Sequence, residues 1–359
     1  MRKLVSYRKI VDIKPITGAD FIEVALIDGW QCVVKKGEFK VGQTAVYHSV
    51  DSFLPIGGVY EFLRKTSTKK MGDEEGFRLK TIRLKSELSQ GLLLPLSALG
   101  LTGNEPEDEL ADILNVKLYE PPIPAELSGI AKGNFPSFIP KTDQERVQNL
   151  TGKIWGKGVT IEYIDADGNL VTKEIPPAAP RKYEVSEKLD GSSCTLYHNS
   201  GVFGVCSRNL EIEENETNTY WKVVNQYNLK ERLPATGRNV SLQGELVGEG
   251  IQGNPYKLKG QDLFIFDIFD IDKQAYLNPE ERNKFLTGNL PDLKTVPILH
   301  RCFDLPDTLD ELLIFVQGKS ILNDKTNREG LVFKEEDVCA HTRFSFKGIS
   351  NQYLLAQKD

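Results

Sequence analysis

The residues best suited to chemistry in this 359-residue chain lie in YEVSEKLDGSS, residues 183 to 193. Lys188 closes a run with strand-like alternation, and Asp190, Gly191 and two serines then turn the chain. A lysine at the mouth of a strand is a candidate nucleophile, and the glycine beside it lets a ligand approach the backbone. An ammonium has no lone pair, so attack requires the free amine, which neighbouring cations would favour. An exposed turn would show the same residues, so Lys-x-Asp-Gly carries weight only in company. Further segments follow in order: Ser207, Arg208 and Asn209; Glu245 in GELVG; Phe264, Phe266 and Asp267 in FIFD; Glu329 and Lys334 in EGLVFK; Lys347 in FSFKG. Each sets a polar or charged group into a strand-like context.

The elements that must position them fall into two textures. Residues 1 to 120 read as short strands with a glycine at most turns: alternation in FIEVALIDGWQCVVKKG, a turn at Lys36 and Gly37, then VGQTAVYHSVDSFLP and RLKTIRLKSELSQGLLLP. That spacing suggests a small antiparallel OB-like β-barrel. Residues 121 to 140 hold five prolines in twenty residues and read as a Pro-rich linker. From Lys141 to Asp359 strands alternate with helices, which makes the chain α+β overall. A short helix is expected in TDQERVQNL, a hairpin around residues 165 to 168, and helices over 219–233 and 308–317. Thr308 and Glu311 are spaced as a capping box, and Gly318 stands as a stop. Strands are expected in YEVSEKL, CTLYH, VFGVCSR, VSLQGELVG, LFIFDIFDI, GLVFKEE and RFSFKGI.

Composition narrows the classes. A formal net charge of −6 with 27% charged residues argues against a polycationic nucleic-acid binder. Residues 1 to 120 carry 17 basic and 17 acidic side chains, so the excess lies in the remainder. Within residues 64 to 85, however, eight basic side chains face three acids. This stretch is either a solvated hairpin or a strip for phosphates whose attraction weakens with salt. Five scattered cysteines make neither a disulfide framework nor a zinc cluster, which implies a reducing compartment. The four histidines form no pair at metal-ligand spacing. MRKLVSYRKI lacks the apolar run of a secretory signal, and the longest uncharged stretch, residues 88 to 104, contains a proline and three glycines. The expectation is a soluble protein without membrane contact, cytoplasmic or in another intracellular reducing compartment, with no signal for a homodimer.

The ordered set from Lys188 to Lys347 resembles the covalent nucleotidyltransferases, the superfamily of ATP-dependent polynucleotide ligases and mRNA capping enzymes. The resemblance covers about residues 141 to 359. In the first half, GWQCVVKKGEFKVGQTAVYHSVDSFLP and IRLKSELSQGLLLPL look like the OB module that precedes the catalytic domain in one branch of ATP-dependent RNA ligases. FPSFIPKTDQERVQNL is similar to the lead-in of RNA ligase catalytic domains. Most DNA ligases and capping enzymes carry their OB domain after the catalytic domain. About ten residues follow Lys347 here. Domain order therefore favours the RNA ligase branch, and the fold implied is an OB-like barrel followed by an ATP-grasp-like nucleotidyltransferase domain of antiparallel sheets with helices.

The resemblance implies that Lys188 attacks the ATP α-phosphate to give lysyl-AMP, that AMP passes to an RNA 5′-phosphate, and that a 3′-hydroxyl displaces it. Lys334 and Lys347 would bind the α-phosphate, and Glu245, Glu329 and Asp190 would hold a hydrated Mg²⁺ or Mn²⁺. Glu245 would also touch the ribose. Phe266 would stack on adenine, Arg208 would bind the nucleotide or the RNA end, and Glu187 would meet the adenine edge through its backbone. Arg146 and Asn149 would contact the nucleotide, although a cap or surface role fits them equally. A surface salt bridge is the plain competitor for Glu245 and Glu329, and a core role for Phe264. Many RNA ligases read Lys-x-Lys at the last motif. Ser345 stands at the first of those positions, leaving Lys347 to carry that charge alone. The leading expectation is an RNA ligase acting most naturally on a nick in an RNA duplex. The alternatives are a DNA ligase or GTP-dependent capping guanylyltransferase, and, in another class, a non-catalytic OB-type nucleic-acid-binding protein.

Overall fold

The computed structural model describes residues 3–85, 87–120, 130–156, 158–164, 170–175, 177–178, 180–336 and 343–357. By contacts the chain divides into two compact units, Met1–Ile123 and Pro124–Asp359. In the first unit every strand pairing is antiparallel. Val5–Lys9, Thr44–His48 and Leu92–Leu94 form one sheet, Asp12–Pro15, Ile22–Ile27 and Trp30–Lys35 a second. Lys117–Leu118, Ser52–Pro55, Glu74–Arg78 and Thr68–Met71 form a third, and Thr81–Leu84 pairs with Glu87–Gln90. Trp30, Cys32 and Val34 alternate inward onto Ile27, Tyr47 and Leu93 in one apolar cluster. The run read as one alternating stretch is in fact a hairpin. Asp28 (φ 34°) and Gly29 (φ 76°) both take positive φ between the paired Ile27 and Trp30, the two-residue turn that Asp-Gly favours.

The second unit contains two main sheets. The larger has the order Ala131–Asn134, Leu210–Ile212, Val202–Cys206, Ser192–Asn199, Val240–Gly248, Gln261–Asp270 and Ala275–Tyr276, with Lys294–Thr295 pairing parallel to Gln261–Asp270. The smaller has the order Ile298–Phe303, Tyr183–Lys188, Gly330–Glu335 and Ser345–Ile349. Ala131–Asn134 lies inside the stretch read as linker and pairs with Leu210–Ile212, while Ile139 and Phe138 pack beside Tyr197. That stretch therefore contributes structure to the second unit. Strands Val159–Ile164 and Leu170–Ile175 pair as a hairpin. Its expected turn, residues 165 to 168, lies outside the described residues, as do Cys339 and His341.

Helices depart most from expectation. Residues 219–233 do not form one helix, because Asn228 adopts the left-handed conformation (φ 50°, ψ 42°) and separates Thr219–Gln226 from Leu229–Ala235. TDQERVQNL yields only a 3₁₀ turn, Val147–Asn149, preceded by extended backbone at Arg146 (ψ 139°). The Thr308 hydroxyl does accept from the Glu311 N–H, starting Leu309–Phe315. Helix Pro279–Asn289, which the sequence reading lacks, begins with a complete capping box between Asn278 and Glu281 and has proline in its first turn.

Each sheet has its own core. The larger packs on Trp221, Val224, Leu229, Leu233 and Phe285 of the helices. The smaller packs Tyr183, Val185, Leu331, Phe333 and Phe346 on Leu312 and Val316. Phe333 and Phe346 stack with ring centroids 4.9 Å apart. Replacing Phe333 with alanine is expected to cost about 3–5 kcal/mol, read as a lowered unfolding midpoint of the full chain. Phe62→Ala, at a ring 62% exposed, should leave the midpoint within about 0.5 kcal/mol of wild type.

Candidate active site

Strand alternation sorts the small sheet into a chemical face and a core face. Glu184, Ser186 and Lys188 share one face with their register partners Lys334, Val332 and Gly330, and with Ser345 and Lys347 on the next strand. Tyr183, Val185, Leu331, Phe333 and Phe346 point the other way into the core. Glu187 belongs to that second face: its carboxylate accepts from the Ile321 N–H at 2.8 Å and its own N–H donates to the Pro297 carbonyl at 2.9 Å.

Lys188 Nζ donates to Glu329 Oε2 at 2.7 Å. Burial alone would lower its pKa, but the carboxylates of Glu329 and Glu245, and then Asp190, outweigh burial and raise it. In the chain by itself the side-chain cations expected to depress it, Lys334 and Lys347, do not prevail over these carboxylates. Burial pushes Glu245 up to about 7 against the attraction of Lys188, and it pushes Asp190 up as well. Lys347 is the cation that faces Lys188: burial, then repulsion from Lys188 and Arg146, brings it down to about 8. Close approach explains two glycines. A Cβ at Gly191 would stand 2.4 Å from the Leu246 carbonyl oxygen, and one at Gly330 would stand 2.1 Å from that of Gly348.

Lys334 is not brought to the nucleophile. It lies four positions along the ladder from the Lys188 level, and its ammonium donates to the Phe266 carbonyl at 2.8 Å and pairs with Asp267 at 3.0 Å. Burial pushes Lys334 down to about 8. Phe266 is the extra residue of a bulge, since Gln243 pairs with Asp267 and Gly244 with Ile265. Its carbonyl also accepts from Arg282 at 3.2 Å, and its ring lies 4.9 Å from Lys334 Nζ. Phe264 is core, buried with Leu189, Val247, Tyr256 and Val296.

The remaining candidates are scattered around this face. The Arg208 guanidinium is exposed and pairs with Asp143 at 2.6 Å. The backbone of Arg146 pairs with that of Lys347 in an isolated parallel β-bridge, and the Asn149 amide donates to Glu145 at 2.6 Å. Several residues at the site escaped the sequence reading. Arg343 grips Asp267 with two bonds of 2.7 Å, and Arg282 pairs with Glu184 at 2.6 Å, all four side chains nearly fully buried. Tyr256 accepts from the Asp190 N–H at 2.5 Å, and Tyr353 donates to the Asp190 carboxylate. Only Arg282 had a local signal, the Asn-Pro-Glu-Glu helix start before it.

Three carboxylates around one lysine make an all-oxygen donor set with excess negative charge. That chemistry fits a hard divalent cation such as Mg²⁺ or Mn²⁺. Among the described residues no three such side chains stand close enough to enclose a bare ion.

Burial would raise the pKa of Asp267, but Arg343 and Lys334 outweigh it and hold the carboxyl far below the usual range. The stability this gives is present above the ordinary carboxylate pKa of about 4 and is lost as pH falls toward the folded value. Asp267→Asn is expected to destabilise by about 3–5 kcal/mol at pH 7, because it leaves buried cations unpaired. The gap to wild type should narrow below about pH 4 in denaturant unfolding curves.

A family model described as an OB-fold domain matches residues 4–96, and one described as RNA ligase matches residues 181–349. The chain is similar to the structure of Naegleria gruberi RNA ligase with PPi, at 44% identity over 99% of this chain and 98% of that one, with a TM-score of 0.77. It is likewise similar to a variant of that ligase with ATP and Mn, at 43% identity over 98% of each chain and a TM-score of 0.78. A further variant with AMP and Mn also gives 43% identity over 98% of each chain and a TM-score of 0.78. No curated protein matches the chain. Near-complete coverage at this identity, together with the arrangement around Lys188, means that the chain belongs to the RNA ligase family, with an OB-fold domain ahead of its catalytic domain.

Proposed function

We propose that the chain is an ATP-dependent RNA ligase that joins 3′-hydroxyl and 5′-phosphate ends through a lysyl-AMP on Lys188. The observation that carries the reading is a part-buried lysine amine set against Glu329, with Glu245 and Asp190 acting on it and Lys347 on the same sheet face. The relatives with ATP and Mn, with AMP and Mn, and with PPi support ATP as the nucleotide and manganese as a usable metal.

In the first step Lys188 Nζ forms a bond to the α-phosphorus while the bond to the pyrophosphate oxygen breaks. The amine must lose a proton, and Glu329 Oε2, 2.7 Å away, stands where it can take one. Lys347 covers the equatorial oxygens of the α-phosphate as a movable point charge. Phe266 offers adenine a ring face, held by Lys334 and Arg282 at its carbonyl. Glu245 and Glu187 lie toward the ribose and the adenine edge, and Arg208, Arg146 and Asn149 toward phosphates or the RNA end. Glu245, Glu329 and Asp190 would hold a divalent ion, through water, and it would supply positive charge that favours the free amine. An RNA 5′-phosphate oxygen then attacks the same phosphorus and Lys188 leaves, regaining its proton. Attack of the 3′-hydroxyl on the RNA 5′-phosphorus expels AMP.

The substrate is a nick in an RNA duplex, gripped in part by the OB unit. Lys69, Lys70, Lys80 and Lys85 are exposed along its basic stretch and fit a phosphate backbone. The enzyme works as a monomer in a reducing intracellular compartment. Supporting the compartment, Cys32, Cys194, Cys206 and Cys302 are free thiols. Among the described residues no helix is long and apolar enough to cross a membrane.

Intact-protein mass spectrometry after incubation with ATP and Mn²⁺ should show one added AMP, discharged by a nicked RNA duplex. Lys188→Ala and a GTP arm should show none. An equal adduct on the alanine variant removes Lys188 as nucleophile, and a guanylyl adduct turns the reading to capping. Charge reversal of Lys69 and Lys70 to glutamate should leave lysine adenylylation intact and weaken sealing of the nicked duplex, most at low salt. Unchanged sealing there removes the basic strip from RNA binding.

A further inference from the structure

The turn that follows Lys188 is held from two sides by tyrosines. Tyr256, in the loop after Val240–Gly248, accepts the Asp190 backbone N–H, and Tyr353 donates its hydroxyl to the Asp190 carboxylate. Tyr353 belongs to the short helix Asn351–Ala356, which directly follows the strand bearing Lys347. The start of that helix is tied to the other partner of the nucleophile. Ser350, fully buried, caps it by accepting from the Tyr353 N–H at 3.2 Å, and its own N–H donates to the Glu329 carbonyl at 2.9 Å. One six-residue helix thus grips the backbone of Glu329 and the side chain of Asp190, the residues that bracket the amine.

We infer that Tyr353 is a positioning residue for lysine adenylylation: its hydroxyl holds the Asp190 carboxylate so that Lys188 pairs with Glu329 and stays aimed at the incoming phosphorus. The physical reason is competition for one cation. Asp190 is two residues from Lys188, and a part-buried carboxylate that loses its donor takes the nearest one available. The Lys188 ammonium, whose charge already acts on Asp190, is one such donor. The amine would then be shared between Asp190 and Glu329 and drawn toward its own turn, away from the line of attack, where small misplacements are costly. ATP binding uses other groups, so the loss falls on the chemical step. The inference rests on the reading of Lys188 as nucleophile and adds a role for the chain's last helix.

The test is single-turnover adenylylation of the full chain at several ATP concentrations, read by mass. Tyr353→Phe keeps the ring and its packing. The expected result is a fall of about tenfold to hundredfold in the rate at saturating ATP, with the half-saturating ATP concentration changed by less than about twofold and the melting midpoint unchanged. Asp190→Ala removes the partner, so adding Tyr353→Phe to it should cost nothing more, the signature of a residue acting through another. A wild-type rate for Tyr353→Phe beside a slow Asp190→Ala overturns the inference and leaves the nucleophile reading intact. An equal further loss in the double variant, or a loss confined to ATP affinity, also overturns it. An adduct that persists on Lys188→Ala defeats the underlying reading instead.

Discussion

The lysine proposed as nucleophile must attack as a free amine, yet in the chain by itself its setting favours the protonated form. Lys188 is part-buried, and an ammonium drawn partly out of water needs a counter-charge. Glu329 supplies one at 2.7 Å, with Glu245 and Asp190 adding to it. The rest of the site follows from that constraint. The carboxylates that stabilise the resting lysine leave a surplus of negative charge suited to a hard cation. On the proposed mechanism, a bound cation would shift that balance toward the free amine. Gly191 and Gly330 are there because the turn and the strands must close around this one group.

A second set of buried charges does a different job. Asp267 with Arg343 and Lys334, and Glu184 with Arg282, connect strand Gln261–Asp270 of the large sheet and helix Pro279–Asn289 to the strands of the small one. The two sheets have separate apolar cores. Between them lie these ion pairs and a smaller apolar cluster of Leu189, Val247, Tyr256, Phe264 and Val296. Burying ions is a poor way to add stability, since desolvation offsets much of the attraction. It is a good way to fix a backbone group: two cations converge on the Phe266 carbonyl at the bulge and so set the ring beside it.

The parts of this arrangement that were legible in the sequence are those with a local signal. Period-two alternation marked YEVSEKL, VSLQGELVG and GLVFKEE as strands, and the same alternation predicts which face Lys188 and Lys347 share. Asp28 and Gly29 carry the Asp-Gly turn signal, but the long polar-apolar run around them masks it. The break at Asn228 was hidden because a left-handed asparagine within a helical pattern leaves no periodic trace. Residues whose role depends on a distant partner were not legible. Lys334 looks like Lys347 in sequence, and only the bulged carbonyl of Phe266 from another sheet decides where its ammonium goes. Tyr353 sits in a six-residue helix too short to announce itself, and its partner lies 163 residues earlier.

The departure at Ser345 follows from the same geometry. Ser345 pairs directly with Lys334 across the ladder, so a lysine there would stand opposite a buried ammonium that burial has already brought down to about 8. Like charges at directly paired positions are destabilising. At this level of the sheet Asp267 is already matched by Lys334 and by Arg343, two residues before Ser345. A third cation would have no partner. The serine therefore keeps the far end of the face balanced around Phe266, and leaves Lys347, two pairs along and close enough to feel the charge of Lys188, as the cation proposed to meet the phosphate.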